Sequence, residues 1–220
     1  PRTLHLDRTS LTEDRVVESG DPTHAMAVVG CGTPQAGEVE IVDPVTRMRC
    51  RENEVGEIWC AGTSVGAGYW RRPEETEHAF RAVIADTGEG HFLRTGDLGF
   101  LHDGELFITG RCKDLIVIRG GNHYPNDIEF TVQECHAALL PGRGATFAFT
   151  PGLRAEERLV IVQEVQVDQG EAGVLDEHDL AGVIDNIRIA VVDRYGIDPH
   201  SVLLVRPQSI PTTSSGKIPV

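Results

Sequence analysis

The feature that most constrains this chain is a change of hydrophobic pattern after Gly110. Up to that point short β-type runs alternate with turn signals. Val39–Val42 precedes Asp43-Pro44, residues 57–60 precede Ala61-Gly62, and residues 105–109 follow Asp103-Gly104. One helix interrupts this series; it begins after Pro73 and is expected to turn Thr76, Ala79, Phe80 and Val83 toward the core. Beyond Gly110 the order becomes strand, helix, strand, strand, helix, strand. The expected strands are residues 115–119, 146–150, 159–165 and 202–205. Between the last two, Leu180, Val183, Ile184, Ile187, Val191 and Tyr195 recur at three- and four-residue steps, with Asp176 to cap the start and Gly196 the end. The other helix follows Pro125, which suits a first helical position, and is expected to bury Ile128, Val132, Cys135 and Leu139. The fold class is therefore α+β, a β-rich subdomain followed by a smaller α+β unit, with a boundary near residues 111–114. Residues 1–28 are polar, weakly periodic and expected to lie at the periphery.

Composition removes several function classes. The formal net charge is −14 over 220 residues, and both halves are acidic. Phosphate-tracking surfaces need clustered cations, so nucleic acid is not an expected partner. No apolar run approaches the roughly 18 residues of a membrane helix. The five cysteines, Cys31, Cys50, Cys60, Cys112 and Cys135, contain no CxxC pair. That speaks against a disulfide framework and against a zinc site, and points to reduced thiols in a cytoplasmic protein. No metal site is expected, because the nine histidines show no ligand spacing. The chain starts at Pro1 without a methionine, which suggests a fragment.

Few residues stand out chemically. Lys113 and Lys217 are the two lysines among twenty basic residues, and both stand in glycine-containing loops. Lys217 ends the run Thr212-Thr213-Ser214-Ser215-Gly216-Lys217, which either delivers a compact point charge to a phosphate or is a solvated tail. In Arg94-Thr95-Gly96-Asp97-Leu98-Gly99 a carboxylate sits in a glycine-flanked turn, as an acceptor for a ribose diol or as an Asx cap. Arg111 follows the next strand, so a fold-back brings it beside Asp97, as a ligand or as a plain ion pair. Lys113, at the boundary, reads as a hinge. Gly66-Ala67-Gly68 lacks the third glycine of a dinucleotide loop, and Gly216-Lys217-Ile218 lacks a Walker frame.

Taken together, Gly56-Glu57-Ile58-Trp59, Gly68-Tyr69-Trp70-Arg71-Arg72-Pro73, Arg94-Thr95-Gly96-Asp97, Gly110-Arg111-Cys112-Lys113-Asp114 and Ser215-Gly216-Lys217 closely resemble the later core motifs of adenylate-forming enzymes, in order and spacing. The run from Arg119-Gly120-Gly121-Asn122-His123-Tyr124-Pro125 to Glu129 resembles the wording found in fatty acyl-AMP ligases. The resemblance implies a large domain that binds ATP and the acid, and a small mobile C-terminal domain that swings about a hinge. It implies that residues 1–28 belong to an insertion that disfavours coenzyme A, that residues 29–112 form the β-rich end of the large domain, and that residues 113–220 form the small one. Matched by position, Asp97 and Arg111 would bind the ribose hydroxyls, Ile108 would wall the nucleoside, Lys113 would be the hinge, and Lys217 would bridge the α-phosphate and ribose as the catalytic cation.

The implied activity is adenylation of a fatty acid by ATP with Mg2+, then transfer to an acyl carrier protein or a synthase carrier domain, as in lipid or polyketide biosynthesis. The family's phosphate loop, and the motif with its magnesium-binding glutamate, lie upstream of the matched region. The chain alone is thus expected to be an inactive C-terminal part of such a ligase. The alternatives are a long-chain acyl-CoA synthetase and a non-catalytic module that docks carrier proteins.

Overall fold

The computed structural model describes residues 2–21, 25–35, 38–152, 157–166, 177–213 and 218. They form two units, Pro1–Leu115 and Ile116–Val220.

In the first unit, β1 (Thr3–Asp7) and β2 (Ala25–Val29) pair antiparallel, Leu4 opposite Val28. Between them α1 (Arg8–Thr12) starts where the Asp7 carboxylate accepts from the Ser10 amide at 2.8 Å, a side-chain cap on an open amide. The described part of residues 1–28 is not a loose edge: alternation buries Leu4 and Leu6, and Leu11, Val16 and Val28 join them. The segment is also tied to the hairpin beyond it, Arg2 Nη1 donating to Asp103 Oδ2 at 2.8 Å. Mixed charge along Asp7 to Asp21 masks this inward face in the sequence.

β3 (Val39–Val42), β4 (Gly56–Cys60), β5 (Ala82–Val83), β6 (Gly90–His102) and β7 (Glu105–Arg111) make one antiparallel sheet. The long β6 serves successive neighbours, β5 first, then β4, then β7. Its hairpin with β7 turns through Asp103 and Gly104, both at positive φ, the backbone a two-residue hairpin turn needs. Phe100 and Phe107 stack at 5.1 Å across that hairpin and are fully buried. Trp59, Val42, Ala82, Ile84 and Phe92 form a second cluster.

The helix α2 (Pro73–Phe80) begins at proline as expected, but buries no residue. Thr76 instead accepts from the Tyr69 amide at 2.9 Å and donates to the Arg72 carbonyl, and Phe80 packs edge-on against Tyr69. The helix also lies against β6, where His78 Nε2 stands 3.4 Å from Arg94 Nη1. Ala82 and Ile84 carry the apolar burden, while Val83 points outward.

In the second unit, β8 (Ile116–Ile118) and β9 (Gly121–His123) form a hairpin through Arg119 and Gly120, both at positive φ. Next come α3 (Pro125–Glu134), β10 (Leu139–Phe149), β11 (Arg158–Val165), α4 (Glu177–Tyr195) and β12 (Ser201–Val205). β10 runs antiparallel to β11, and β12 runs parallel to it after the α4 crossover. Ile128 and Val132 of α3 and Val183, Ile187 and Val191 of α4 cover Leu159, Ile161 and Val165. Gly196 ends α4 at positive φ, its amide donating to the Val192 carbonyl. Asp176 lies outside the described residues. Leu139 belongs to β10, not to α3, and β10 is longer than the expected 146–150 because Gly142 and Gly144 let it bend without stopping. A Cβ at Gly144 would meet the Gln163 amide oxygen at 2.3 Å.

Candidate functional site

The centre of the first unit is a glutamate inside an apolar strand. Glu57 of β4 is 2% exposed. A carboxylate held away from water needs donors on nearly every lone pair. Here Trp59 Nε1 reaches Glu57 Oε2 at 2.9 Å, and Arg94 reaches the same oxygen with Nε at 2.9 Å and Nη2 at 2.7 Å. The Gly96 amide donates to Oε1 at 3.2 Å. The Arg94 guanidinium also lies over the Trp59 ring, 5.6 Å from its centroid.

This network fixes the bulge that presents Asp97. Between the Glu57–Leu98 and Trp59–Arg94 pairs, β6 advances four residues while β4 advances two. Gly96 takes φ +74 there, a left-handed backbone that favours glycine. Thr95 Oγ1 donates to the Ile58 carbonyl at 2.7 Å and accepts from the Asp97 amide at 3.0 Å. Asp97 therefore stands within a bulged strand rather than in a turn ahead of a hairpin. Local sequence shows the glycine but not the cross-strand carboxylate that shapes the backbone around it.

Asp97 and Arg111 are direct cross-strand partners. Arg111 Nε donates to Asp97 Oδ1 at 2.9 Å, and among the described residues Asp97 Oδ2 has no hydrogen-bond partner. The carboxylate does not cap a turn. A second bulge, between Leu98–Gly110 and Gly99–Ile108, leaves Thr109 as the extra residue. Without it Ile108 and Arg111, three apart, would face opposite ways. With it the ladder alternates Phe100–Phe107 inward, Gly99–Ile108 outward, Leu98–Gly110 inward and Asp97–Arg111 outward. Asp97, Ile108 and Arg111 thus share one face, where Ile108 is 44% exposed. A carboxylate, a guanidinium that bonds it through one nitrogen, and an exposed apolar side chain stand side by side.

Lys113 is itself exposed between half-buried neighbours, its Nζ 4.0 Å from Asp114 Oδ1, and lies two residues before the division after Leu115. Lys217 lies outside the described residues. The Cys112 thiol, behind the site, is pushed up to about 11 by burial and by the Glu57 charge, so it stays protonated at neutral pH. Among the described residues no group of three or more His, Cys, Asp or Glu could hold a metal ion. No helix of the described residues is long and apolar enough to cross a membrane.

No family model matches the chain. The medium-chain-fatty-acid–[acyl-carrier-protein] ligase JamA of Moorena producens is 47% identical over 99% of the chain. A solved structure from work on the fatty acyl-adenylate ligases of E. coli and L. pneumophila superposes over 99% of the chain, with a TM-score of 0.76 and 31% identity. Over nearly its whole length the chain is similar to one segment of fatty-acid ligases and fatty acyl-adenylate ligases of the adenylate-forming class. A putative fatty-acid–CoA ligase, FadD21 of Mycobacterium tuberculosis, is 42% identical over 90% of it. The chain spans about a third of these proteins' length, 36% of JamA and 34% of FadD21. It also superposes over 93% of its length on the phenylalanyl-adenylate complex of McyG A-PCP, at TM-score 0.71 and 30% identity, covering 34% of that chain. Glu57 and Arg94 are the residues that sequence reasoning left without a role. Their signal was a charge in the middle of Gly56-Glu57-Ile58-Trp59, where a strand otherwise buried on both faces has no use for an unpaired carboxylate.

Proposed function

We propose that this chain serves a ligase that activates a fatty acid with ATP and passes the acyl group to a carrier protein. In the first step a carboxylate oxygen attacks the α-phosphorus of ATP, supplied as its Mg2+ complex, and pyrophosphate leaves. In the second, a phosphopantetheine thiol attacks the acyl carbonyl, the C–S bond forms, and AMP leaves. The observation that carries the reading is the shared face of Asp97, Arg111 and Ile108. On this reading Asp97 accepts from the two ribose hydroxyls through its open oxygen, Arg111 holds that carboxylate and adds a donor of its own, and Ile108 covers the nucleoside. Lys217 supplies the cation for charge that builds on the α-phosphate, and Lys113 is the hinge of the 113–220 unit. Residues 1–28 act on acceptor choice, and the enzyme works in the cytoplasm.

The name of JamA supports a carrier-protein acceptor, whereas that of FadD21 favours coenzyme A. The test uses the full-length enzyme with a series of fatty acids, ATP, and either holo-carrier protein or coenzyme A. Fatty-acid-dependent ATP–pyrophosphate exchange, with carrier acylated faster than coenzyme A, is the expected result. Exchange with faster coenzyme A acylation selects the synthetase reading. No exchange with any fatty acid rejects both and leaves the docking module.

A further inference from the structure

In the first unit one imidazole joins three stretches of chain, and none of the residues assigned above takes part. His102 ends β6, just before the Asp103-Gly104 turn, and its side chain is 16% exposed. Its Nδ1 stands 2.8 Å from Asn53 Oδ1, while Nε2 faces Glu18 Oε1 at 3.4 Å and Asp103 Oδ2 at 3.6 Å. Asp103 Oδ2 accepts in turn from Arg2 Nη1, and that bond, with His102 alongside, holds the Asp103 carboxyl below its usual range. The partners are themselves fixed. Glu18 bridges to Leu6 of β1, whose side chain is fully buried, and the Asn53 carbonyl accepts from the Val16 amide at 2.8 Å. The turn needs Asp103 and Gly104 at positive φ, but it asks for no particular side chain at position 102.

Where residues 1–28 give way to the rest of the unit, the joint is made by backbone. Gly30 bridges to Phe107 of β7, the Cys31 amide donates to the Leu106 carbonyl at 2.8 Å, and a Cβ at Gly30 would collide with the Glu105 carboxylate. At residues 14–18 side chains are added to backbone. The Val55 amide donates to the Asp14 carbonyl at 2.8 Å, and Glu18 and Asn53 meet on His102. We infer that His102 is a positioning residue for acceptor choice, clasping Glu18 and Asn53 against the β6–β7 turn and so keeping residues 1–28 in one pose on the first unit. The inference rests on the role given to residues 1–28 under Proposed function. Each contact is partly open to water and weak by itself. Two or three lost together shift the balance between a fastened and a loosened segment by about three- to ten-fold, and a reaction that the segment holds back rises with the loosened fraction.

The experiment uses the full-length enzyme with His102→Leu, which removes both ring nitrogens and keeps an apolar body. Amide hydrogen exchange, acylation of coenzyme A relative to holo-carrier protein, and fatty-acid-dependent ATP–pyrophosphate exchange are measured. Amide exchange at Val16 should accelerate while Cys31 stays protected, and the ratio of coenzyme A to carrier acylation should rise by about three- to ten-fold. Pyrophosphate exchange should keep its wild-type rate. His102→Gln, which returns a donor and an acceptor, should recover part of the ratio. Glu18→Gln alters an exposed side chain, should move the ratio the same way by less, and carries the same readouts if His102→Leu does not fold. Leu11→Ala loosens the segment from its own buried side and serves as the control for the underlying role. Unchanged amide exchange at Val16, or a wild-type ratio where Leu11→Ala raises it, would overturn the inference. Faster amide exchange in both variants with the ratio unmoved in both would instead sink the role of residues 1–28 in acceptor choice, and the inference with it.

Discussion

Arg111 reaches Asp97 across fourteen residues of chain because a one-residue bulge at Thr109 restores the parity of the β6–β7 ladder. The pair is partly open to solvent, its side chains 55% and 32% exposed, so as an ion pair it adds little to stability. Its placement beside Ile108 is what calls for an explanation, and a nucleoside supplies one.

Asp97→Ala in the full-length enzyme should weaken ATP binding by about 1.5 to 3 kcal/mol, the worth of hydrogen bonds to a charged acceptor, with the melting temperature almost unchanged. Asp97→Asn should fall between. Calorimetric titration with a non-hydrolysable ATP analogue reads the effect directly. An unchanged dissociation constant in the alanine variant would return Asp97 to a surface ion pair.

The Glu57–Arg94 pair should behave in the opposite way, through stability first. Removing one member leaves a buried charge without its partner, at a cost of about 3 to 5 kcal/mol. Glu57→Gln and Arg94→Met are each expected to be strongly destabilising, and the double variant to lose less than the sum. Denaturant melts of the four proteins give the coupling. Additive losses would mean that the two side chains do not act as a unit around Gly96.

Two carboxylates of the second unit should act in separate pH windows. Glu129 is pushed up to about 7 from 4.5 by burial, against one hydrogen bond from the Thr146 amide. The folded state then binds the proton more tightly than the unfolded one, so the stability it contributes is complete below about pH 4.5 and is lost as pH rises to about 7. Burial alone would raise the Glu164 carboxyl, yet hydrogen bonds from the amides of Ile210, Gln208 and Ser209, with Arg143 nearby, hold it below its ordinary value, and its contribution holds above pH 4.5 and is lost on acidification. His123, lowered by burial, favours folding as pH rises toward 6.5 and so opposes Glu129. The comparison of Glu129→Gln with wild type isolates the term: the stability difference should change between pH 4.5 and 7 and stay flat above. A constant difference across that range would contradict the buried, protonated carboxyl.

How much could be read from residue order follows from the range of the forces involved. Turn chemistry and apolar periodicity are local, so Asp103-Gly104, the proline start of α3 and the seam of α4 were all legible. The fold-back of Arg111 onto Asp97 was legible for the same reason, since one hairpin connects them. The inward face of residues 1–28 was not, because the pairing of β1 with β2 joins Thr3 to Val29 across a charged stretch that reads as solvated. Nor were the roles of Glu57 and His102. Each looks like an ordinary polar residue in a strand until a partner 37 or 49 positions away is brought against it.

The claim that this chain brings the catalytic cation to an adenylation site is tested most directly by Lys217→Ala in the full-length enzyme, with each half-reaction followed in a single turnover. As the carboxylate attacks, negative charge grows on the α-phosphate, and losing one preorganised donor costs about 10² to 10³ in rate. Transfer places no such charge at that position, since the thiol attacks the acyl carbonyl. The account predicts that acyl-AMP formation drops by that factor while supplied acyl-AMP still passes to carrier protein at the wild-type rate, and that Lys217→Arg does not rescue it, because a planar fork replaces a compact charge. Equal loss in both steps, or no loss in either, would contradict it.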